Sequence, residues 1–461
     1  MPSAQRIVAL AVLIVTGLAS GSRTLTAQMI RLRGTVVATA ERVVEDGVVA
    51  IGGTKIASVS AASAAETMPS IDAVIFAGLI DLHNHLTWNV MPAWQPPRIF
   101  TNRYTWQDTP EYAIGLSGPY NALVSAGRGC DMNRFGEIKA LINGATATVG
   151  SLGSANACIQ GLVRNLDFAS EIYGSKPNAE PYRNVVFPFE PADAAAEEAI
   201  RNVNPSGPPS GVRAVVMHLA EGTDSAAARE FRQARAHGFL KEGVSIIHGV
   251  ALGADQMREL ADRKVGFVWS PHSNFILYGR TADIQTAMAA RMTVAIAPDW
   301  SPTGSAGMLE ELQVAYRYLL ATLGSAAVKE SQIVQMATQN PAKLAAVDSQ
   351  LGTLEAGKLA DLVVMRRYGR SPHQSLLDGG AANVMLVMIA GAPVYGDPDL
   401  MKRLLPEAKF EPLTICGETK LLHIVDDPAD PNSWTNVSRR LTDAMTPLGL
   451  SPAPLAACGL R

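Results

Sequence analysis

The sequence predicts an α/β chain: a (β/α)8 TIM-type barrel with a small composite β-sandwich formed from its N- and C-terminal segments. Three observations predict it. Both flanks of the chain read as short strands joined by turns, with no helical pattern between them. From Leu79 onward, short continuous apolar runs alternate with amphipathic stretches of helical period. About eight such units precede residue 300, and eight is the number that closes a parallel barrel.

The first residues read as a leader, not as fold. Arg6 and the amino terminus are positive, Ile7 to Leu18 is a mostly apolar run of 12 residues, and Ala19, Ser20 and Gly21 follow. This is the pattern of a secretory signal peptide. The run is too short to span a bilayer, which takes roughly 17–25 residues. Cleavage after Ala19 or Ala27 is expected, with residues 1–27 as the leader and an exported, periplasmic or secreted, mature chain. No Cys follows the run, so no lipid anchor is indicated, and no later apolar stretch is long enough to cross a membrane.

The first part of the sandwich is assigned to residues 28–78. Leu32–Val37, Gly47–Ile51 and Lys55–Val59 are β-rich, and Gly52-Gly53 supplies a turn. The barrel is assigned to 79–349. Its strand-like runs include Ala145–Val149, Asn184–Pro188, Ala214–Met217, Ser245–Ile247, Val265–Trp269 and Thr293–Ala297. Amphipathic helices are expected over Ala226–Phe239, Ala254–Arg263 and Leu309–Leu323. Uninterrupted apolar strands of this kind belong in a parallel sheet buried on both faces. A doubly wound sheet is the competing fold, but no glycine-rich phosphate loop follows the first strand. The second sandwich part is 350–405, with a turn and then a strand within Gly352–Met365 and further strands at Val384–Ala390 and Ala392–Tyr395. Residues 406–461 form an extension with one helical stretch near Val437–Met445 and no assigned role.

The formal net charge is -3, and no run of Lys and Arg appears. Nucleic acid and anionic membrane surfaces are therefore not expected partners; a small-molecule substrate is, and a homo-oligomer is left open. The four cysteines, Cys130, Cys158, Cys416 and Cys458, contain no C-x-x-C pair. In an exported chain the local pairing, Cys130–Cys158 and Cys416–Cys458, closes the shortest loops.

Ionisable groups gather at the ends of the apolar runs. His83 and His85 follow Gly78–Leu82, two residues apart, on one face of a strand and about 6–7 Å apart at the backbone. Val215–Met217 ends in His218, with Glu221 three residues on. Ile246-Ile247 ends in His248, and Ala295–Pro298 ends in Asp299. Groups of this kind are costly to bury unpaired, and a shared metal ion satisfies them together. Active sites of barrels sit at strand C-termini. His83, His85, His218 and Asp299 are thus candidate ligands for one divalent transition metal: zinc first, with iron or manganese as alternatives. His237, His373 and His423 read as hydrogen-bonded structural residues, and His272 fits either role.

These residues resemble the amidohydrolase superfamily, in the branch containing cytosine and guanine deaminases, triazine chlorohydrolases and imidazolonepropionase. The resemblance is carried by Gly78–His85 with its His-x-His, His218-Leu219-Ala220-Glu221, Ile247-His248-Gly249 and Asp299. Ser270-Pro271-His272-Ser273-Asn274 resembles that branch's Cys-Pro-x-Ser-Asn segment, with Ser270 in place of Cys, and Gly357–Val363 resembles its return to the sandwich. The resemblance implies the same barrel and the same four ligands. It places Glu221 and His248 on substrate and water. Binuclear members carry a carboxylated Lys at the end of the fourth strand; Asn184–Glu190 has none, so one metal is expected, with Glu190 the ionisable group nearest that position.

The chemistry implied is water activation, since bound Zn²⁺ can lower the pKa of water from 15.7 to about 7. Asp299 would accept the water proton, Glu221 would shuttle it to the leaving nitrogen, and His248 would hydrogen-bond the developing oxyanion. The expected function is hydrolysis of a C–N bond in an amide, urea, carbamate or cyclic amide. The alternatives are a deaminase or dehalogenase of a nitrogen heterocycle, and a non-catalytic relative.

Overall fold

The computed structural model describes residues 29–66, 70–152, 162–174, 181–189 and 192–459. The expected leader, Glu190 and Cys158 lie outside the described residues.

The chain opens with β1 (Ile30–Val37), β2 (Val43–Gly52), β3 (Lys55–Ala61) and β4 (Ala73–Ala77). β1, β2 and β3 form an antiparallel meander, and the β2–β3 hairpin turns at Gly53, which takes φ 58°. β4 crosses over to lie parallel to β1.

Eight short parallel strands follow. β5 (Leu79–Ile80), β6 (Ala145–Thr148) and β7 (Arg164–Asn165) form one sheet. β8 (Tyr182–Val185), β9 (Ala214–Leu219), β10 (Val244–His248), β11 (Gly266–Trp269) and β12 (Val294–Ile296) form a second, in sequential order. Every residue of β9, β10, β11 and β12 is buried, which is why these strands read as unbroken apolar runs. Alternation survives in where the side chains go. Val215, Met217, Ile246, Phe267, Val294 and Ile296 join one core with the surrounding helices. Val216, Ile247, Val268 and Ala295 join another that also takes Ile80 of β5 and Ala147 of β6. The helices Ser225–Ala236, Ala254–Asp262 and Met308–Leu323 lie where the period predicts.

The chain then returns to its beginning. β13 (Leu362–Arg366) pairs antiparallel with β4, and β14 (Val384–Ile389) and β15 (Ala392–Gly396) follow. β16 (Glu411–Ile415) and β17 (Glu418–Leu422) complete a nine-stranded sheet. The small sandwich expected from the sequence is, in hydrogen-bonding terms, this one continuous sheet, with β1 to β4 from the first part of the chain and β13 to β17 from the last.

Residues 406–461 have a place as well. Beyond β16 and β17 they form the helix Trp434–Met445, which packs on the helix Gly129–Ile142. Arg440 pairs with Asp131 across that contact, and the backbone N–H of Ala453 donates to Val90 at 2.8 Å. Cys416 and Cys458 are bonded to each other, tying the tail to β16. The expected Cys130–Cys158 bridge involves a residue outside the described set.

Candidate metal centre

His83 and His85 follow β5 in a bend, His218 lies in β9, His248 ends β10, and Asp299 follows β12. All five arrive at the same end of the parallel strands. His248 and Asp299 do so with φ of 69° and 62°, a left-handed conformation that non-glycine residues hold only at a cost. That bend turns each side chain out of its strand and toward the common centre.

The donors converge. His83 Nε2 is 3.2 Å from His218 Nε2 and 3.2 Å from Asp299 Oδ1. His85 Nε2 is 3.5 Å from the same Asp299 oxygen. Two ligands each roughly 2.1 Å from one ion at tetrahedral angles stand about 3.4 Å apart. Two overlapping triads share His83: one with His85 and Asp299, the other with His218 and His248.

The outer hydrogen bonds set the protonation of the rings. His218 Nδ1 donates to the Val185 carbonyl at 3.2 Å, and His83 Nδ1 meets Ser270 Oγ at 2.8 Å. The Val185 carbonyl can only accept, so His218 carries its proton on Nδ1 and a lone pair on Nε2; where His83 Nδ1 donates to Ser270, His83 Nε2 carries a lone pair too and the two face each other. Two lone pairs at that separation repel unless a cation lies between them. Burial also disfavours charge on the rings. It drives His83 well below the ordinary histidine range and His218 down to about 3, with the neighbouring His248 adding to both shifts. Burial likewise holds the Asp299 carboxyl far above its usual range, against a 2.7 Å hydrogen bond from Ser273. Among the described residues, His83 and His85 are the ion-pair neighbours of Asp299. Neutral imidazoles around a buried acid with no Lys or Arg partner are a donor set that fits a divalent cation.

Glu221 and His248 stand together beside these groups, with His248 Nε2 3.7 Å from Glu221 Oε2. Tyr278 donates to the other carboxylate oxygen of Glu221, and Trp106 Nε1 donates to Tyr278 at 2.9 Å. His248 Nδ1 meets Asn274 Oδ1 at 2.9 Å, while Asn274 Nδ2 donates to Thr281. A cavity of about 130 Å³ opens on the group, lined by His85, His218, Glu221, His248 and Asp299 and walled by Trp88, Trp106, Tyr112 and Trp300. A larger cavity of about 530 Å³ lies at the opposite strand ends, beside Val244, Gly266 and Thr293, and touches none of these groups.

The remaining histidines are held by other contacts. His373 Nε2 meets the Ala40 carbonyl, His423 Nδ1 meets that of Lys409, and His237 packs on Phe189 and Phe239. His272, open between two readings, bonds Ser305 and accepts no place in the cavity lining. Tyr278, Ser273, Asn274 and the aromatic wall were not singled out from the sequence. Only Ser273 and Asn274 left a signal there, in the segment after Trp269.

Residues 213–394 match the amidohydrolase family. The chain carries an amidohydrolase-family domain. That domain contains His218, Glu221, His248 and Asp299, and His83 and His85 reach it from outside the matched span. Among curated proteins, the chain is 34% identical over 138 residues to a 5-methylthioadenosine/S-adenosylhomocysteine deaminase of Moorella thermoacetica, covering 30% of this chain and 32% of that protein. A Pyrococcus furiosus protein of the same name is 32% identical over 138 residues, with the same coverage. The match thus spans about a third of the length of these relatives (32%). Among solved structures, a zinc-bound adenosine deaminase from Xanthomonas campestris aligns with TM-score 0.56 at 18% identity, covering 79% of this chain and 92% of that one. Guanine deaminase of E. coli aligns with TM-score 0.56 at 18% identity, covering 79% and 99%. At that identity these neighbours share the fold with the amidohydrolase domain.

Proposed function

We propose that this chain is a metal-dependent hydrolase of C–N bonds, and that its barrel is closed. The observation that carries the proposal is the meeting of His83 Nε2 with His218 Nε2 and Asp299 Oδ1, each at 3.2 Å, in a cavity shared with Glu221 and His248. Closure is supported by the core that draws side chains from both parallel sheets, β5 and β6 with β9 to β12, and by the eight-strand total.

His83, His85, His218 and Asp299 would hold one divalent ion, zinc first, with iron or manganese as alternatives. When bound, such an ion brings the pKa of water from 15.7 to about 7. The chain's own residues supply the proton traffic. Asp299 Oδ2 accepts from Ser273, which leaves Oδ1 toward the histidines and fixes the carboxylate for taking a proton from water. Glu221 has Oε1 held by Tyr278 and Oε2 open toward His248; the open oxygen carries a proton to the leaving nitrogen. With Asn274 Oδ1 accepting from Nδ1, neutral His248 presents a lone pair at Nε2. It hydrogen-bonds an oxyanion only after gaining a proton, so its role is to accept first and donate second.

Deamination of a nitrogen heterocycle is the second reading, favoured by the names of the relatives: deaminases of adenosine, guanine and 5-methylthioadenosine/S-adenosylhomocysteine. Export rests on the Ile7–Leu18 pattern, and the Cys416–Cys458 bond suits an oxidising compartment. Metal analysis together with product masses on a panel of amides, ureas and amino-heterocycles tests the proposal. About one metal per chain with hydrolysis on the panel is expected. A metal-free protein, or a metal-loaded one that hydrolyses nothing, would remove it.

A further inference from the structure

We infer that the substrate presents to the centre a single flat ring bearing an sp² oxygen, which Arg103 reads. The inference rests on the identification of this cavity as the active site.

The ring follows from the walls. Trp88, Trp106, Tyr112 and Trp300 line the cavity and pack on one another: Trp88 and Trp300 centroids are 5.2 Å apart, Trp106 and Trp300 5.7 Å, Trp106 and Tyr112 5.1 Å, all edge-on or tilted, while Trp88 and Tyr112 lie nearly parallel at 6.5 Å. Trp300 also stands edge-on to His85 at 6.2 Å, so the box and the ligand cluster share a wall. A cavity lined by such aromatic side chains favours a flat π-system packed against them. The space of about 130 Å³ is close to the 150 Å³ or so of an engineered apolar cavity that takes up one benzene. A second fused ring must therefore reach out of the box.

The oxygen follows from Arg103, which lines the same cavity. Its side chain is 3% exposed, and its Nη2 pairs with Glu230 at 3.0 Å and meets Tyr104 at 3.1 Å. Glu230 in turn accepts from the Ala220 N–H at 2.7 Å and from Tyr104. Arg103 Nη1 has no hydrogen-bond partner. A buried guanidinium with one nitrogen of its fork unmatched is costly, and a ligand acceptor that reaches it recovers a charge-assisted bond. A carboxylate and a neutral carbonyl are two sources of that oxygen.

Three probes share one ring: benzoate, benzamide and toluene. Calorimetric titration of each into the zinc-loaded protein gives the test. Benzoate or benzamide is expected to bind about tenfold or more tighter than toluene, and the order of those two identifies the oxygen as charged or neutral. In Arg103→Lys, which keeps a charge for Glu230, the gap is expected to shrink to about threefold or less with toluene unchanged. Equal affinities in the wild type overturn the inference, a result that needs no variant to fold. So do binding of none of the three, a gap that survives Arg103→Lys because the oxygen sits on the metal, and equal weakening of all three probes. The benzamide samples are analysed for benzoate, so that binding is read apart from turnover. A protein that shows the gap yet hydrolyses nothing keeps the inference and loses the proposed function.

Discussion

The Tyr278 hydroxyl donates to Glu221 Oε1 at 2.5 Å, from a position where burial and the nearby carboxylate keep the phenol protonated. Tyr278 is thus a fixed donor that turns Glu221 Oε2 toward His248. Tyr278→Phe removes that bond while keeping the ring. The expected result is a kcat about 10- to 100-fold lower, the worth of one hydrogen bond to a charged group, with KM, metal content and melting temperature close to wild type. Unchanged kcat would show that Glu221 is oriented by something else.

Glu221→Gln keeps size and shape but removes the titrating group. A rate loss of roughly 10²–10⁴-fold is expected, with the metal retained. His218→Ala removes a ligand instead, so metal and activity should fall together. Elemental analysis and kcat on the same samples separate the two, and a Glu221→Gln protein that loses its metal but turns over normally once remetallated would make Glu221 a support for His218.

Glu311 gives a pH dependence with a defined sign. Burial pushes its carboxyl up to about 8, opposed by hydrogen bonds from Ser305 and the His272 N–H. In the unfolded chain it loses its proton near 4.5. Between these values the folded state holds a proton that the unfolded state has released, so stability is greatest below 4.5 and is lost as pH rises toward 8. The slope from this group approaches 1.36 kcal/mol per pH unit at most. Glu311→Gln should flatten the urea midpoint across that window, and an unaltered slope would assign it to other groups.

Cys458→Ser opens the loop of sequence separation 42 closed by Cys416 and Cys458. A loss of about 2–4 kcal/mol is expected in chemical denaturation, with kcat retained where the protein is folded. An unchanged midpoint would mean that the tail is held by its packing on the helix Gly129–Ile142 alone.

Much of the site was legible because its residues sit at the ends of strands that announce themselves. Val215-Val216-Met217 and Ala295-Ile296-Ala297 are buried on both sides, so nothing polar interrupts them until His218 and Asp299. The groups that position those residues were harder to see. Tyr278 is one aromatic in an apolar stretch, and only its contact with Glu221, 57 residues away in sequence, distinguishes it. The box of Trp88, Trp106, Tyr112 and Trp300 draws on two distant segments, with no local period to mark it. β4, β16 and β17 were also missed. β4 lies in the middle of the nine-stranded sheet, where all five of its residues are buried, so it shows no alternation. β16 alternates strictly, but among prolines and acids whose partners come from the tail.

The pairing of β4 with β13 sets a timetable as well as a shape. On a ribosome, Ala73–Ala77 emerges almost three hundred residues before Leu362–Arg366, the strand that covers its open edge. Until then the N-terminal meander ends in an apolar strand with unsatisfied backbone groups, the usual starting point for pairing with the wrong chain. A product truncated before residue 362 keeps that edge permanently. If the chain is exported, as proposed, an inability to finish its first sheet before synthesis is nearly complete would keep it unfolded for the time that translocation requires.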